Sequence, residues 1–348
     1  MTGQEKSGSP GAQGSRGAIL AEHSARPRAV IVHNPAPLGA FYGLSAVPAE
    51  EAQRRYLFRE RVDSQRASDE HDGLVRAISR AGVSVITLRS LVGATPHFAQ
   101  ARTNPNQLFT RDAAITLPWA PALYLSARMA EPLRRPEEAT MGAALEALGL
   151  TRLAWEGGHG TVLEGGDFVP FVREGRRCVL LGYGTRTTLT TVPRLREALL
   201  PDHADELIAV ELARGSLNLD GTVLPVSDTL VIAAPDNIVS ATHWDSTGTR
   251  AVDLLGLFEE LNMTVVRVGR HAARTQEACN YLCLGPNTAI GYDMCKPAVR
   301  ALRDHGIDLT AVPGSELVKG TGGPRCMSRP VYGPPCSDSL TCPQACDA

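Results

Sequence analysis

The apolar residues of this chain follow two alternating periods. Stretches with apolar residues three or four positions apart, typical of amphipathic helices, end at Gly, Asn or Asp and lead into a short β-rich run. This helix-then-strand pattern recurs at residues 74–88, 141–155, 194–212, 254–268 and 298–312. A regular recurrence of this kind predicts a repeated supersecondary unit.

Two further β runs, joined by turn residues, precede most of the predicted helices. Examples are 161–171 with 177–184, 222–227 with 229–235, and 280–286 with 288–293. The predicted unit is therefore ββαβ. Five such units can close into a ring, so we predict an α/β fold, a five-bladed pseudo-symmetric propeller with a central site. The alternative is a doubly wound sheet, but it requires single strands between helices.

Composition favours a soluble globular protein with small-molecule ligands. The 348 residues are 43% hydrophobic, and 35 basic and 37 acidic residues give a formal charge of −2. The basic residues are scattered, which argues against nucleic-acid and membrane-surface partners. A run of about 18 apolar residues, as a membrane span requires, does not occur in the sequence.

The two ends of the chain differ in composition from its centre. Residues 1–26 begin with a polar, Gly- and Ser-rich stretch without the apolar segment of a signal peptide, so we expect a disordered leader and a cytoplasmic protein. Residues 27–332 are predicted to form a single catalytic domain. Residues 333–348 are rich in turn formers and are predicted to be a flexible tail.

The eight cysteines do not predict a disulfide scaffold in a chain without an export signal. Cys178, Cys279, Cys283 and Cys295 lie in or beside apolar runs and are expected to be small buried hydrophobes. The tail contains three cysteines, whereas a structural zinc site needs four ligands. We therefore expect free thiols in the tail, at Cys336, Cys342 and Cys346.

Cys326 is the cysteine with the strongest signs of reactivity. It follows a Gly-rich segment, 319–324, and its immediate neighbour is Arg325. Glycine lets backbone approach a ligand closely, and a nearby positive charge lowers the pKa of a thiol. An inert turn cysteine is the alternative for Cys326 if this motif is considered alone.

Acidic residues occur in three other polar segments, 104–112, 163–167 and 217–221. Carboxylates are costly to cluster unless a cation lies among them, and a planar guanidinium is a cation that two carboxylates can bind in bidentate fashion. Local turn or ion-pair roles are the alternative for each acid. The sequence lacks metal-ligand spacing, so we expect neither a metal nor another cofactor. The acids in question are Asp112, Glu164, Asp167 and Asp220.

Six motifs in order resemble those of the arginine deiminases, from about Pro27 to Tyr332. They are NPNQLFTRD, LEGGD, GYGTRTT, LNLDG, NYLCLGPNTAIGYD and GTGGPRCMS. The resemblance extends to the amidinotransferases and dimethylarginine hydrolases, and it implies the same five-bladed pentein fold of ββαβ repeats. Members of this group commonly form dimers or higher homo-oligomers, and the resemblance implies such an assembly here.

The resemblance assigns roles to residues that match the family motifs. It implies that Cys326 attacks the guanidinium carbon to form a covalent amidino-thioether. Asp112 and Asp220 match the acids that bind the guanidinium, and Glu164 matches the acid that orients a catalytic histidine. The remaining residues are expected to bind substrate: Asn106 and Arg186 at the amino-acid head, with Arg111, Asp167, Thr321 and Arg325 completing the set.

Two residues depart from the family pattern. The family's acid/base histidine, in an H-L-D motif, is replaced here by Asn218, and Thr321 stands where an arginine usually reaches the substrate. An amide cannot exchange protons at neutral pH as imidazole does. Candidates for a replacement base are the histidines His159, His243 and His97.

The sequence therefore predicts a deiminase-like hydrolase that acts on the guanidino group of arginine or an arginine derivative, a small-molecule substrate. Two alternatives stay open because of Asn218. One is an amidinotransferase, in which an incoming amine contributes acid/base capacity. The other is a guanidine-binding protein that has lost turnover.

Overall fold

The structure is a computed structural model that describes residues 19–45 and 47–333. The β-strands, in chain order, are β1 Ala29–Val32, β2 Ser84–Thr87, β3 Ala114–Leu117, β4 Ala120–Ser126, β5 Thr151–Arg152, β6 Phe168–Arg173, β7 Arg176–Tyr183, β8 Glu206–Leu212, β9 Val223–Ser227, β10 Leu230–Ala233, β11 Ile238–Trp244, β12 Thr249–Ala251, β13 Thr264–Arg267, β14 Leu282–Cys283, β15 Thr288–Tyr292, β16 Asp308–Val312 and β17 Arg329–Val331.

The α-helices lie between these strands. They are α1 Tyr42–Ser45, α2 Ala49–Tyr56, α3 Ser64–Arg80, α4 Leu88–Val92, α5 Pro96–Ala101, α6 Pro136–Ala147, α7 Thr191–Leu199, α8 Leu254–Glu260, α9 Arg270–Gln276 and α10 Lys296–Asp304. The fold is mixed α/β. Among the described residues, none of the helices is long and apolar enough to cross a membrane.

The strands of the described region form five sheets with one recurring arrangement. In each sheet a middle strand pairs antiparallel with one neighbour and parallel with another. A helix connects the middle strand to its parallel partner. The ββαβ unit is therefore confirmed, and the three-strand orders are β17-β1-β2, β3-β4-β5, β6-β7-β8, β9-β10-β13 and β14-β15-β16.

Two features of the sheets differ from a simple fivefold repeat. Strands β11 and β12 extend one sheet beyond β8, an addition that the sequence analysis did not predict. The last strand, β17, pairs antiparallel with the first, with Ala29 opposite Val331. Both ends of the domain thus lie in one sheet. The arrangement of all five sheets as blades around one axis stays a prediction.

Helix α3 shows how the apolar pattern fixes local structure. Its buried positions include Ala67, Leu74 and Ile78, so one stripe faces the core while the other side is solvated. The helix begins after Asp63, whose side chain accepts a hydrogen bond from the backbone N–H of Arg66 at 3.0 Å. Packing of this kind also buries the four cysteines predicted as small hydrophobes, Cys178, Cys279, Cys283 and Cys295.

The predicted leader, residues 1–26, ends earlier than expected. Residues 1–18 lie outside the described residues, but residues 19–26 pack against the domain, and the backbone N–H of Glu22 donates to the carbonyl of Pro170 at 3.1 Å. The local sequence gave no sign of this because the packing depends on partners distant in the chain. The predicted tail, 333–348, lies outside the described residues except for Gly333.

Glu22 holds this segment through two buried arginines. Its carboxylate lies 3.1 Å from Arg111 Nη1 and 2.9 Å from Arg325 Nη2. Arg111 and Arg325 are 1% and 0% exposed, so their charges have no compensation from bulk water. Burial alone raises the pKa of Glu22, but the two arginines outweigh it and lower that pKa to about 2.

We expect Glu22→Gln to lower the free energy of unfolding by about 3–5 kcal/mol, because it removes the counter-ion of buried Arg111 and one of the two counter-ions of buried Arg325. The pKa of Glu22 falls from 4.5 to about 2 on folding. Its contribution is therefore complete above pH 4.5 and is lost as the pH falls toward about 2. Urea unfolding at several pH values measures both effects. Glu260→Gln, an exposed change on α8, is the control, and an equal loss in both variants would contradict the prediction.

Candidate active site

The polar residues singled out from the sequence occupy equivalent places in successive sheets. Asp112 precedes β3, Asp167 precedes β6, and Asp220 precedes β9. Cys326 in turn precedes β17. Four of the five sheets thus present a chemically active side chain just before their first antiparallel strand, and the fifth sheet presents Asn280 just before β14.

Asp220, Asn280 and Cys326 meet at a cavity of about 710 Å³. A recess next to the cavity shares Cys326, Asn218, Arg186 and Thr321 with it and adds Asp112. Polar and charged side chains of the cavity wall include Arg59, Arg186, Asn218, Asp220, Arg270, His271, Arg274, Glu277, Asn280, Thr321 and Cys326. The acids lie with the cysteine, and the arginines supply positive charge elsewhere on the wall.

Cys326 is held in place by Asn280. The side-chain amide of Asn280 donates to Cys326 Sγ at 3.0 Å, and its oxygen accepts from the backbone N–H groups of Arg325 at 3.0 Å and Cys326 at 3.2 Å. The thiol also lies 3.5 Å from Asp220 Oδ2. Asn280 therefore fixes both the backbone and the sulfur atom, a role that the sequence analysis missed although it quoted the motif.

Burial raises the pKa of the Cys326 thiol well above its ordinary value, and the carboxylates of Asp220, Asp112 and Glu277 raise it further. The expectation that Arg325 lowers this pKa is wrong. The Arg325 side chain points to Glu22 and to Asp220 Oδ2, at 2.8 Å from the latter, so its charge is compensated there. The resting cysteine is a neutral thiol that a cation beside it can activate.

Arg111 and Arg325 do not line the cavity, in contrast to their expected substrate-binding role. Arg111 Nε donates to the backbone carbonyl of Arg325 at 3.1 Å, and both arginines pair with Glu22. Arg325 also holds the carboxylate of Asp220. Burial raises the pKa of Asp220, and Arg325 opposes that rise. The two arginines thus position acids from behind the cavity wall.

Asp112 lies at the recess beside Cys326. Its Oδ2 accepts from Arg134 Nη1 at 2.9 Å, whereas its Oδ1 is buried without a hydrogen-bond partner among the described residues. Arg134 also binds Glu137 at 2.8 Å. The ion-pair partner of Asp112 is therefore Arg134 and not its sequence neighbour Arg111. The free oxygen of Asp112 is available to a donor in the recess.

Asn218 connects the second acidic segment to the cavity. Its amide nitrogen donates to Asp167 Oδ2 at 3.0 Å and lies 3.4 Å from Glu164 Oε2. Burial raises the pKa of Glu164, and it raises that of Asp167 to about 8. Both acids are fully buried, and Asp167 also accepts from the backbone of Leu219 at 2.8 Å. Asp167 therefore orients Asn218 and does not line the cavity, contrary to its expected contact with substrate.

The second glycine of the LEGGD motif allows this convergence. A Cβ added to Gly166 would lie 3.0 Å from Asp112 Oδ1 and 3.0 Å from the Cβ of Asn218. Such contacts are closer than van der Waals separation permits, so a larger residue would push the two side chains apart. The motif therefore has a packing reason for its glycine.

The remaining predicted binding residues lie on the cavity or recess wall. Arg186 faces both, and its Nη1 lies 3.3 Å from Glu131 and 3.8 Å from Glu164. Thr321 lines both in a left-handed backbone conformation. Asn106 lines the recess and donates to the carbonyl of Tyr56 at 3.0 Å. The structure therefore places these three residues where a ligand of the cavity or recess would contact them.

The three histidines proposed as replacement bases do not line the cavity. His97 and His159 are exposed, and His243 is buried against Glu206 at 2.7 Å. The cavity wall instead contains His271 and Glu277, which sequence analysis missed. Their only signal was their position shortly before the NYLCLGP motif.

Among the described residues, no group of three or more His, Cys, Asp and Glu side chains is placed to hold a metal ion.

We expect Cys326 to react slowly with neutral iodoacetamide at pH 7 and much faster with a cationic haloacetamidine, because only the cation is attracted to Asp112 and Asp220 and favours the thiolate. Intact-mass kinetics measure both rates. Asp220→Asn should reduce the preference for the cation at least tenfold, or about 1.4 kcal/mol. Equal rates for the two reagents would contradict the prediction, and Cys326→Ala is the control that measures labelling of the other cysteines.

Known proteins resemble this chain in sequence and in fold. The arginine deiminase family model matches residues 101–332. The chain is 28% identical to the arginine deiminase of Staphylococcus haemolyticus over 199 residues, 49% of this chain and 47% of that protein. It is 28% identical to the arginine deiminase of Rhodococcus opacus over 249 residues, 65% and 60% of the two proteins. The chain thus spans about half to three-fifths of the length of these relatives.

Solved structures show a similar fold at low sequence identity. The product-bound N-terminal domain of ArgZ, a cyanobacterial arginine dihydrolase, has a TM-score of 0.65 at 20% identity and covers 87% of this chain and 97% of its own. A dimethylarginine dimethylaminohydrolase, in an adduct with S-methyl-L-thiocitrulline, has a TM-score of 0.62 at 16% identity, with 87% and 98% covered. With the family match across residues 101–332, the chain belongs to the arginine deiminase family.

Proposed function

We propose that this protein is a deiminase-like hydrolase that converts the guanidino group of arginine or an arginine derivative into a ureido group and ammonia. The observation that carries the proposal is the position of the Cys326 thiol. It lies 3.5 Å from Asp220 and beside the recess where Asp112 has an unpaired oxygen. A guanidinium placed between these acids brings its central carbon next to sulfur.

The charges along the cavity wall support a substrate with a cationic and an anionic end. The acids Asp112 and Asp220 lie with Cys326, whereas Arg186 lines the cavity and the recess beside them. An arginine side chain can bind a carboxylate in bidentate fashion. A cavity of about 710 Å³ also has room for a substituent on the amino-acid end, which supports arginine derivatives as well as arginine.

The proposed chemistry begins when the guanidinium activates the thiol. The pKa of free Cys326 is raised by burial and by three carboxylates, so a bound cation lowers it by compensating those charges. The thiolate then attacks the guanidinium carbon and forms an amidino-thioether as ammonia leaves. Water cleaves this intermediate to release the ureido product. We also propose that the five sheets close into a five-bladed ring around this site.

A guanidine-binding protein without turnover is the second candidate, and the presence of Asn218 favours it. Its amide donates to Asp167 and cannot exchange a proton at neutral pH. An amidinotransferase would form the same adduct but pass the amidino group to an amine. The three candidates therefore share the pocket and differ in the fate of the substrate.

The first test incubates the purified protein with a panel of guanidines, including L-arginine, and follows products and intact protein mass by mass spectrometry. We expect a ureido product or a covalent adduct. The adduct should be absent in Cys326→Ala and present in the buried control Cys178→Ala. Thermal stabilisation without product or adduct would identify a binding protein. Amidino transfer to an added amine would identify a transferase, and absence of all three results contradicts the proposal.

We expect Asn218→His to raise deimination of free arginine severalfold, because an imidazole can exchange protons at neutral pH and an amide cannot. The amide of Asn218 lies 3.4 Å from Glu164, so a histidine there gains a carboxylate that orients its ring. Initial rates of citrulline formation measure the gain. Asn218→Gln, which keeps an amide, is the control, and no difference between the two variants would contradict the prediction.

A further inference from the structure

The proposed hydrolysis needs a proton donor for the leaving nitrogen and a proton acceptor for water, and Asn218 is neither. The titratable side chains that line the cavity are restricted in their roles. Its arginines stay charged at neutral pH, and Asp220 is engaged by Arg325 at 2.8 Å. Two groups on the cavity wall are left as proton carriers, Glu277 and His271.

Glu277 is the buried member of this pair. It is 7% exposed, whereas His271 is exposed. The residue ends helix α9 in a left-handed conformation, with φ of 50°. A Cβ added to Gly221 would lie 3.9 Å from Glu277 Oε2, so the carboxylate packs against the turn that contains Asp220. A buried carboxyl group on the wall of a cavity is a candidate for a functional role.

A short turn connects Glu277 to Asn280, whose side chain contacts Cys326. The backbone N–H of Asn280 donates to the carbonyl of Glu277 at 2.9 Å, and its side chain donates to Cys326 Sγ at 3.0 Å. Both Glu277 and Cys326 line the same cavity. Asn280 therefore fixes the cysteine and the backbone of Glu277 relative to each other.

The groups that face Glu277 carry charges of both signs. Arg59 is the cation that lowers the pKa of Glu277, and its Nη1 donates to the carbonyl of Arg274 at 2.7 Å. Asp220 and, when ionised, Cys326, Cys279 and Tyr292 oppose a negative charge on Glu277. Burial raises the pKa of Glu277 to about 8, with Arg59 lowering it and Asp220 raising it. The carboxyl is thus mainly protonated at neutral pH and can still ionise.

We propose that Glu277 is the proton carrier of this site, the group that replaces the missing histidine at position 218. This assignment rests on the proposed hydrolysis. When the guanidinium binds, the Cys326 thiol releases its proton to bulk solvent, from which the thiolate recovers a proton after product release. In the first half-reaction the thiolate forms the C–S bond, Glu277 gives its proton to one amino group of the tetrahedral adduct, and the C–N bond breaks to release ammonia. The amidino-thioether and the Glu277 carboxylate are left.

In the second half-reaction the Glu277 carboxylate takes a proton from water while the hydroxide adds to the amidino carbon. The C–S bond then breaks, the hydroxyl proton passes to the released ammonia, and the ureido product forms with the thiolate of Cys326. Glu277 ends in its protonated form, ready for the next substrate. The balance of the cycle is one guanidinium and one water consumed, and one ureido group and one ammonium ion formed.

The test compares the unaltered protein with Glu277→Gln, Glu277→Asp and the exposed control Glu260→Gln. Turnover of the best guanidine from the panel is measured from pH 6 to 10, a range chosen to span about two units on either side of the raised pKa. We expect Glu277→Gln to lower kcat on the order of 10² to 10⁴ with KM changed only a few fold. Glu277→Asp should retain more activity than Glu277→Gln, and Glu260→Gln should match the unaltered protein.

The pH profile separates proton transfer from a structural role. For the unaltered protein, kcat/KM should fall as the pH rises through about 8, because the free enzyme must hold the proton that ammonia departure requires. Glu277→Gln should lose this fall of kcat/KM at high pH, the alkaline limb of the profile. A haloacetamidine should still label Cys326 of this variant at the normal rate. Labelling requires the pocket and the thiolate but not a proton carrier.

Several results overturn the assignment. If Glu277→Gln retains turnover and the alkaline limb, Glu277 is not the carrier, and loss of both in His271→Gln would transfer the role to the histidine. If Glu277→Gln fails to label Cys326, its pocket is altered and Glu277→Asp becomes the deciding variant. Because Glu277→Asp keeps a carboxylate, normal labelling without the alkaline limb in that variant contradicts the assignment. If the unaltered protein converts no guanidine, the proposed hydrolysis fails and the assignment fails with it.

Discussion

The chain of buried charges from Glu22 through Arg325 to Asp220 is the interaction on which the site depends. Arg325 is fully buried between these two acids, at 2.9 Å and 2.8 Å. It holds the carboxylate of Asp220 beside Cys326, while Glu22 ties the N-terminal segment to the same point. Removal of either acid would take one of its two counter-ions from Arg325, and removal of Glu22 would also leave Arg111 without its acid. The geometry around the sulfur and the packing of the segment therefore depend on each other.

Electrostatics give the cavity its selectivity for cations. Asp112, Asp220 and Glu277 all raise the pKa of the Cys326 thiol, so the resting site disfavours a thiolate. A guanidinium reverses this balance because it compensates the acids and stabilises the sulfur anion together. The activation of the nucleophile is thereby coupled to occupancy by a cation, which would protect the thiol from neutral electrophiles. Burial and the charge of Asp220 raise the pKa of Glu277 and so hold on it the proton that the proposed reaction needs.

The repeat explains why residues far apart in the sequence converge. Each sheet begins its antiparallel pair just after a short polar segment, and these segments contain Asp112, Asp167, Asp220, Asn280 and Cys326. The turns are built so that backbone can approach closely, as Gly166 shows between Asp112 and Asn218. One local arrangement, used five times, therefore places four of these residues on the wall of the cavity or its recess and the fifth, Asp167, behind Asn218.

The sequence by itself determined the helix-then-strand repeat and the polar segments before the strands, and it singled out Cys326 as the proposed nucleophile. These features follow from local periodicity and residue type. Tertiary structure determined which side chains pair with each other. It paired Arg325 with Glu22 and Asp220, placing it behind the wall, joined Asp112 to Arg134, and packed residues 19–26 against the domain. It also brought Glu277 into the cavity. Such pairings depend on side chains brought together by folding across up to 303 positions, and local pattern carries no information about them.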